Sequence, residues 1–304
     1  MSDTEQELEQ EQDKDSEKEH SHHHTHRHKS RIKPFLYSML SFFLAFSLFL
    51  LSICMVLQMT VFSKDYAMNI MRSCGYYDMV SAELKSRMED LVDASGFEKQ
   101  FAEGFVRSYN VQKAVEDYVS AFYSGDSTLI DTTGFKQQLY DAIDVYIRDK
   151  NITVSDETQN NITYFVNEAA QVYVDQISIP FFSTIANYIF KARDVLNGVT
   201  ISIIIFALIT AALIFFTNEF KHRRFRYLFI GSTGAAVTII VLPTFVLLSG
   251  KISKINIATR SLYSLFVNYF NTLFYNFYIW AGVLVLFSVV MLVLYVKHYR
   301  RATS

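Results

Sequence analysis

Six histidines within nine residues, His20, His22, His23, His24, His26 and His28, form the densest set of potential ligands in the chain. Imidazoles spaced this closely on a flexible segment can gather Zn²⁺ or Ni²⁺, because they lose their proton near neutral pH and suit borderline metals. The competing reading is a solvated low-complexity tract with incidental metal affinity, in which Zn binding is weak and no cofactor is held. The tract is interrupted by Ser21, Thr25 and Arg27, so it does not read as a purification tag. Carboxylate pairs come next: Glu89/Asp90, Glu116/Asp117 and Asp141/Asp144. Each falls on the polar face of a predicted helix, where solvation explains it better than a catalytic dyad or a Ca²⁺ site. No Gly-rich phosphate loop, HExxH, CxxC or GxSxG occurs, so no catalytic residue is assigned and the chain reads as a non-enzyme. Cys54 and Cys74 cannot make a disulfide framework, and twenty helical residues would hold them roughly 30 Å apart.

The elements that must position these groups are mostly apolar. Hydrophobic residues make up 51% of the chain and mean hydropathy is +0.16. They are clumped into four windows free of Asp, Glu, Lys, Arg and His: Phe35–Phe62, Val199–Thr217, Tyr227–Gly250 and Leu273–Val296. A helix crossing the hydrocarbon needs about 20 such residues, and no soluble core helix is apolar on every face. Four transmembrane helices are therefore expected, at 34–62, 197–217, 227–250 and 273–296. Pro34 suits the first position of the first helix.

Charge sets the expected orientation. Arg27, Lys29, Arg31 and Lys33 precede the first span, the linker 218–226 carries Lys221, Arg223, Arg224 and Arg226, and the tail 297–304 carries Lys297, Arg300 and Arg301. By the positive-inside rule both termini are cytoplasmic, in a multi-pass plasma-membrane protein. Residues 1–33, acidic and then His-rich, read as a disordered cytoplasmic tail. The segment 63–196 then lies outside, with 20 acids against 12 Lys and Arg, a net of −8. The loop 251–272 also lies outside, and its Lys251, Lys254 and Arg260 have no acid beside them, which predicts electrostatic docking onto the acidic segment. No basic stripe with interleaved aromatics occurs outside the membrane anchors, so nucleic acid is not an expected partner.

The segment 63–196 reads as a helical bundle. Val111, Ala114, Val115, Tyr118, Val119 and Phe122 form one helical stripe. Phe135, Leu139, Ala142, Ile143 and Tyr146 form a second, and Ile162, Phe165, Val166, Ala169 and Tyr173 a third. Ser124-Gly-Asp-Ser127 closes the first of these helices; Thr132/Thr133 opens the second and Ser155 the third, while Gly75 and Gly96 bracket an earlier one. No Gly or Pro interrupts 34–73, which predicts one helix of roughly 60 Å running out of the first span. Pro180 starts a second stalk leading into the second span. Gly231-Ser-Thr-Gly-Ala-Ala236 allows close helix approach, either within the chain or in a homo-oligomer, and Pro243 should kink the third span. Leu262, Phe266, Tyr269, Phe270 and Leu273 suit an interfacial helix at headgroup level.

The fold class expected is thus all-α: a polytopic membrane protein with four transmembrane helices and an extracytoplasmic helical bundle between spans 1 and 2. This layout, with the aromatic pair in Gly75-Tyr-Tyr-Asp78 after the first break, resembles a loosely defined group of uncharacterised four-span membrane proteins of Gram-positive bacteria over about residues 34–300. The resemblance implies no activity. The span order also resembles permease subunits of the ABC-transporter class, but the segment Asn218–Arg226 is shorter than the coupling segment of those proteins. A non-catalytic envelope protein that senses or binds through the outer bundle is the leading expectation, a permease or channel-like subunit of a transport complex is the alternative, and a membrane-embedded enzyme ranks third. Ion-coupled transport is disfavoured because no span carries a charged residue or a histidine. Binding would use an exposed aromatic patch including Tyr76 and Tyr77, and the expected partners are the lipid bilayer and an envelope protein or cell-wall component.

Overall fold

The structure, a computed structural model, describes residues 26–95, 97–125, 130–180, 182–257 and 259–303. Among these residues the chain is all-helical, with no strand. In chain order the helices are α1 (His26–Met59), α2 (Lys64–Ser73), α3 (Tyr76–Ser95), α4 (Lys99–Ser108) and α5 (Val111–Ser124). There follow α6 (Thr133–Asp149), α7 (Asp156–Ile177), α8 (Phe182–Thr217), α9 (Lys221–Leu248) and α10 (Arg260–Thr303). Four segments, Lys33–Met59, Lys191–Thr217, Lys221–Lys254 and Arg260–Ala302, are long and apolar enough to cross a membrane. Of the histidine tract, His20, His22, His23 and His24 lie outside the described residues, and His26 and His28 fall in the first turn of α1. Gly96 and the end of the 124–127 stop signal also lie outside them.

The chain divides into two compact units. One gathers the described parts of Met1–Leu51, Ser202–Thr238 and Ala281–Ser304. Its small-residue stripe is used within the chain: Ser232, Ala235 and Ala236 are buried, and a Cβ on Gly231 would stand 3.0 Å from the Ser41 carbonyl oxygen and 3.1 Å from Leu44 Cδ2. Hydroxyls tie the same helices together, Ser41 donating to the Tyr227 carbonyl at 2.8 Å and Ser288 to the Ser232 hydroxyl at 2.7 Å. Gly231→Leu should therefore cost about 1–3 kcal/mol through overpacking. Gly234→Ala, whose Cβ would meet Ala45 at an ordinary 3.5 Å, should be near neutral. Thermal midpoints of the two full-length variants in detergent check the contrast, and equal midpoints would show that the stripe is not a packing seam.

The other unit comprises Ser52–Ile201 and Ile239–Trp280. Its central helix is α3, which packs against α2, α4, α5 and α7 and buries Val80, Leu84, Met88 and Val92 completely. The three sequence stripes fall on α5, α6 and α7, and their apolar faces meet in one core that also includes Leu265 of α10. Side-chain caps fix several starts: Asn110 accepts from the Lys113 N–H at 2.9 Å and Ser155 from the Thr158 N–H at 3.2 Å. At α6 the capping oxygen comes from Asp131, which accepts the Thr133 N–H at 2.8 Å, and not from the threonines. Gly75 and Gly125 take the left-handed conformation, at φ +68° and +80°, where helices α2 and α5 end.

Several expectations are corrected. The first helix does not run to Ser73; it breaks at 60–63, where Ser63 adopts an extended conformation and caps α2 through the Tyr66 N–H. Pro34 lies inside α1 and not at its start. One missing N–H leaves the turns on both sides intact, so the helix continues through it. The aromatic stretch 262–273 is not a separate interfacial helix but the first turns of α10. No Gly or Pro separates it from the apolar window that follows, and Asn268 and Asn276 donate back to carbonyls four residues earlier, at 2.8 and 2.9 Å. The long helix expected to lead into the second apolar window is continuous, α8 running from Phe182 to Thr217, two residues after Pro180.

Candidate functional site

Tyr76 and Tyr77, expected on an exposed patch, are 1% and 8% exposed and stand in the core of the helical unit. The αL turn at Gly75 starts α3 immediately afterwards, so its first residues point toward α5 and not outward. At least one carboxylate of each pair is taken up by a neighbour along or between helices. Glu89 lies 3.7 Å from Lys85, Glu116 accepts from Gln112 and lies 3.5 Å from Arg72, and Asp141 accepts from Gln137. Among the described residues no group of three or more His, Cys, Asp or Glu could hold a metal.

Two clefts among the described residues of this unit bear on function. The first, about 480 Å³, is lined by Lys113, Asp117 and Asp131 together with Tyr109, Gln138 and Tyr173. Its charges do not converge on a common point. Lys113 pairs with Asp117 along α5, which raises the lysine's pKa, and Asp131 caps α6, which lowers its own. The Tyr109 hydroxyl is spent on that of Tyr173, at 2.9 Å. Groups tied to each other in this way offer surface contacts and not an acid–base pair aimed at a substrate.

The second cleft, about 410 Å³, is built from segments far apart in sequence. The break after α1 contributes Val61, α2 contributes Ala67 and Met71, and the end of α5 contributes Phe122 and Tyr123. Ile179, Pro180, Phe182 and Ile189 close one side, with Phe182 stacked on Phe122 at 4.1 Å between centroids. The opposite wall is α10, where Leu262, Leu265, Phe266, Tyr269, Phe270 and Leu273 form one helical stripe. Among the described residues no charged side chain lines it.

The polar atoms on this wall are already engaged. α1 stops at Met59, and tyrosine hydroxyls reach the carbonyls of the turn that follows it. The Tyr269 hydroxyl donates to the Thr60 carbonyl at 3.4 Å and the Tyr123 hydroxyl to the Val61 carbonyl at 3.3 Å. The Tyr66 hydroxyl donates to the Tyr269 carbonyl at 3.3 Å. Burial pushes the Tyr66 and Tyr123 hydroxyls up to about 12, so both stay neutral donors at ordinary pH. Nearby, Gln58 bridges to Asn197 and Thr200 at 3.2 and 3.0 Å, joining the end of α1 to α8.

Glu83 of α3 fixes the α10 wall in place. Its carboxylate accepts the Ser261 N–H at 2.9 Å, the Ser261 hydroxyl at 2.6 Å and the Gln176 amide at 2.6 Å. A carboxylate supplied from another helix thus caps the first turn of α10, where the helix dipole also favours it. The segment 251–272 does dock on the helical bundle, but by this cap and by apolar packing. Lys251, Lys254 and Arg260 make no ion pair among the described residues. Neither Glu83 nor Tyr123 carried a spacing signal in the sequence; only the α10 stripe did. No family model, no curated protein and no solved structure matches this chain.

Proposed function

We propose that this chain is a non-catalytic integral membrane protein of the cell envelope that senses or binds through a helical domain held outside the membrane. In this reading 63–196 is extracytoplasmic, both termini are cytoplasmic, and the four apolar helices are the anchor. The observation that carries it is the second cleft: a concave, uncharged site of a volume typical of ligand pockets, roughly 300–1,000 Å³. The charge asymmetry of the segments between the apolar helices supports the orientation.

The test uses the full chain expressed in a bacterial cytoplasmic membrane, with Cys54 and Cys74 replaced by alanine. An impermeant maleimide applied to intact cells should label Asp141→Cys and spare Ala302→Cys. In the same cells a photo-crosslinking residue at Phe266, on the cleft wall and 37% exposed, should capture a ligand or partner. The same residue at Tyr164, 68% exposed on α7 and outside the cleft, should not. Labelling of both cysteines, or equal capture at the two positions, would end this reading.

A further inference from the structure

We infer that the second cleft holds the acyl chain of a phospholipid drawn from the surrounding bilayer. The inference rests on the proposed binding role of this unit and names its ligand. Three observations carry it.

The first is shape. The α10 stripe from Leu262 to Leu273 covers twelve residues, about 16 Å along the helix axis, so the wall is long and suits a linear chain. The second is chemistry. The Tyr123 and Tyr269 hydroxyls, the two polar side-chain groups among the described residues of the lining, are spent on the Val61 and Thr60 carbonyls. A peptide or sugar entering the cleft would leave its own polar groups unpaired, at a cost that an alkyl chain does not meet. The third is continuity with the apolar runs. Val61 belongs to the uncharged window 35–62 and Leu273 opens the window 273–296. The wall from Leu262 to Leu273 is therefore part of a helix long enough to cross a membrane, Arg260–Ala302, and Val61 follows directly on the end of another, Lys33–Met59. Bilayer lipid is the acyl source that those helices would meet at every moment.

The tyrosines also link occupancy to the break after α1. An acyl chain lying on Val61 and Tyr269 packs against the residues that terminate that helix, so the filled cleft stabilises the 60–63 turn.

Native mass spectrometry of the full-length protein, released from mild detergent, tests the inference. One phospholipid per chain should remain bound, identified by its mass and its fragment ions. Ala67→Trp places a ring in the cavity, and Phe266→Asp places a charge on a wall position that water can still reach. Each should reduce the bound fraction at least tenfold at an unchanged lipid-to-protein ratio. Thermal midpoints separate loss of the ligand from loss of the fold, and Phe266→Asp keeps the test valid if Ala67→Trp misfolds. Lipid retained equally by both folded variants would overturn the inference, as would wild-type protein free of adduct. A free fatty acid in place of a phospholipid would overturn the source named here. A captured non-lipid ligand at residue 266 would overturn the acyl assignment while leaving the binding role intact.

Discussion

Replacing Phe135 with alanine should cost about 3–5 kcal/mol, the range for truncating a buried aromatic ring. Phe135 is 1% exposed and sits at the centre of an aromatic cluster. Tyr173 stacks on it at 4.4 Å between centroids, and Phe105 and Tyr109 meet its edge at 5.3 and 5.4 Å. Removing the ring empties the space between α4, α6 and α7, and those backbones cannot collapse together because α3 already fills the centre. A domain's whole stability is roughly 5–15 kcal/mol, so the variant should leave the helical unit close to unfolding. Phe135→Leu, which retains most of the volume, should lose far less. Near-ultraviolet circular dichroism of the full-length protein in detergent reads the outcome, since the packed Tyr109 and Tyr173 contribute to that signal and lose their fixed surroundings, while the apolar helices keep the far-ultraviolet signal. Wild-type melting of Phe135→Ala would mean that the cluster does not hold the unit together.

Much of this architecture was legible in the sequence, for a simple reason. Helices read from periodicity, and Val111 to Phe122 or Ile162 to Tyr173 repeat at 3.6 residues without interruption. The four apolar helices read from composition alone. The break at 60–63 contains neither Gly nor Pro; its signal is a capping serine, Ser63, with Asp65 in the turn that follows. The cleft was only half visible. Its α10 wall showed as an aromatic stripe, but a stripe has the same appearance whether it faces lipid, a bundle or a cavity. What decided between these was Glu83, an acid lying 178 residues from Ser261, and no local pattern marks a cap supplied from such a distance. Tyr76 and Tyr77 failed for a related reason: an aromatic pair after a glycine turn looks like a contact patch until the turn angle is known.

Glu83 therefore yields the second large effect. In Glu83→Ala the Ser261 N–H, the Ser261 hydroxyl and the Gln176 amide all lose their acceptor, and Ser261 and Gln176 are buried, at 1% and 5% exposure. Hydrogen bonds to a charged group contribute about 1.5–3 kcal/mol each and do not add fully, so a total loss of about 2–4 kcal/mol is expected. Water reaching the half-buried carboxylate site sets the lower end of that range. The loss should be local before it is global: amide hydrogen exchange at 261–265 should accelerate at least tenfold, while α6, which does not touch the cap, keeps its protection. Glu83→Gln keeps one acceptor oxygen and should fall between. Docking by simple charge attraction makes the opposite prediction. It would make Lys251→Gln, Lys254→Gln and Arg260→Gln together the damaging change, and Glu83→Gln no worse than losing any other acid among 63–196. Exchange rates at 261–265 that rise in the triple variant and stay at wild-type values in Glu83→Ala would show that the cap does not hold the α10 wall, and the cleft would then lack its fixed side.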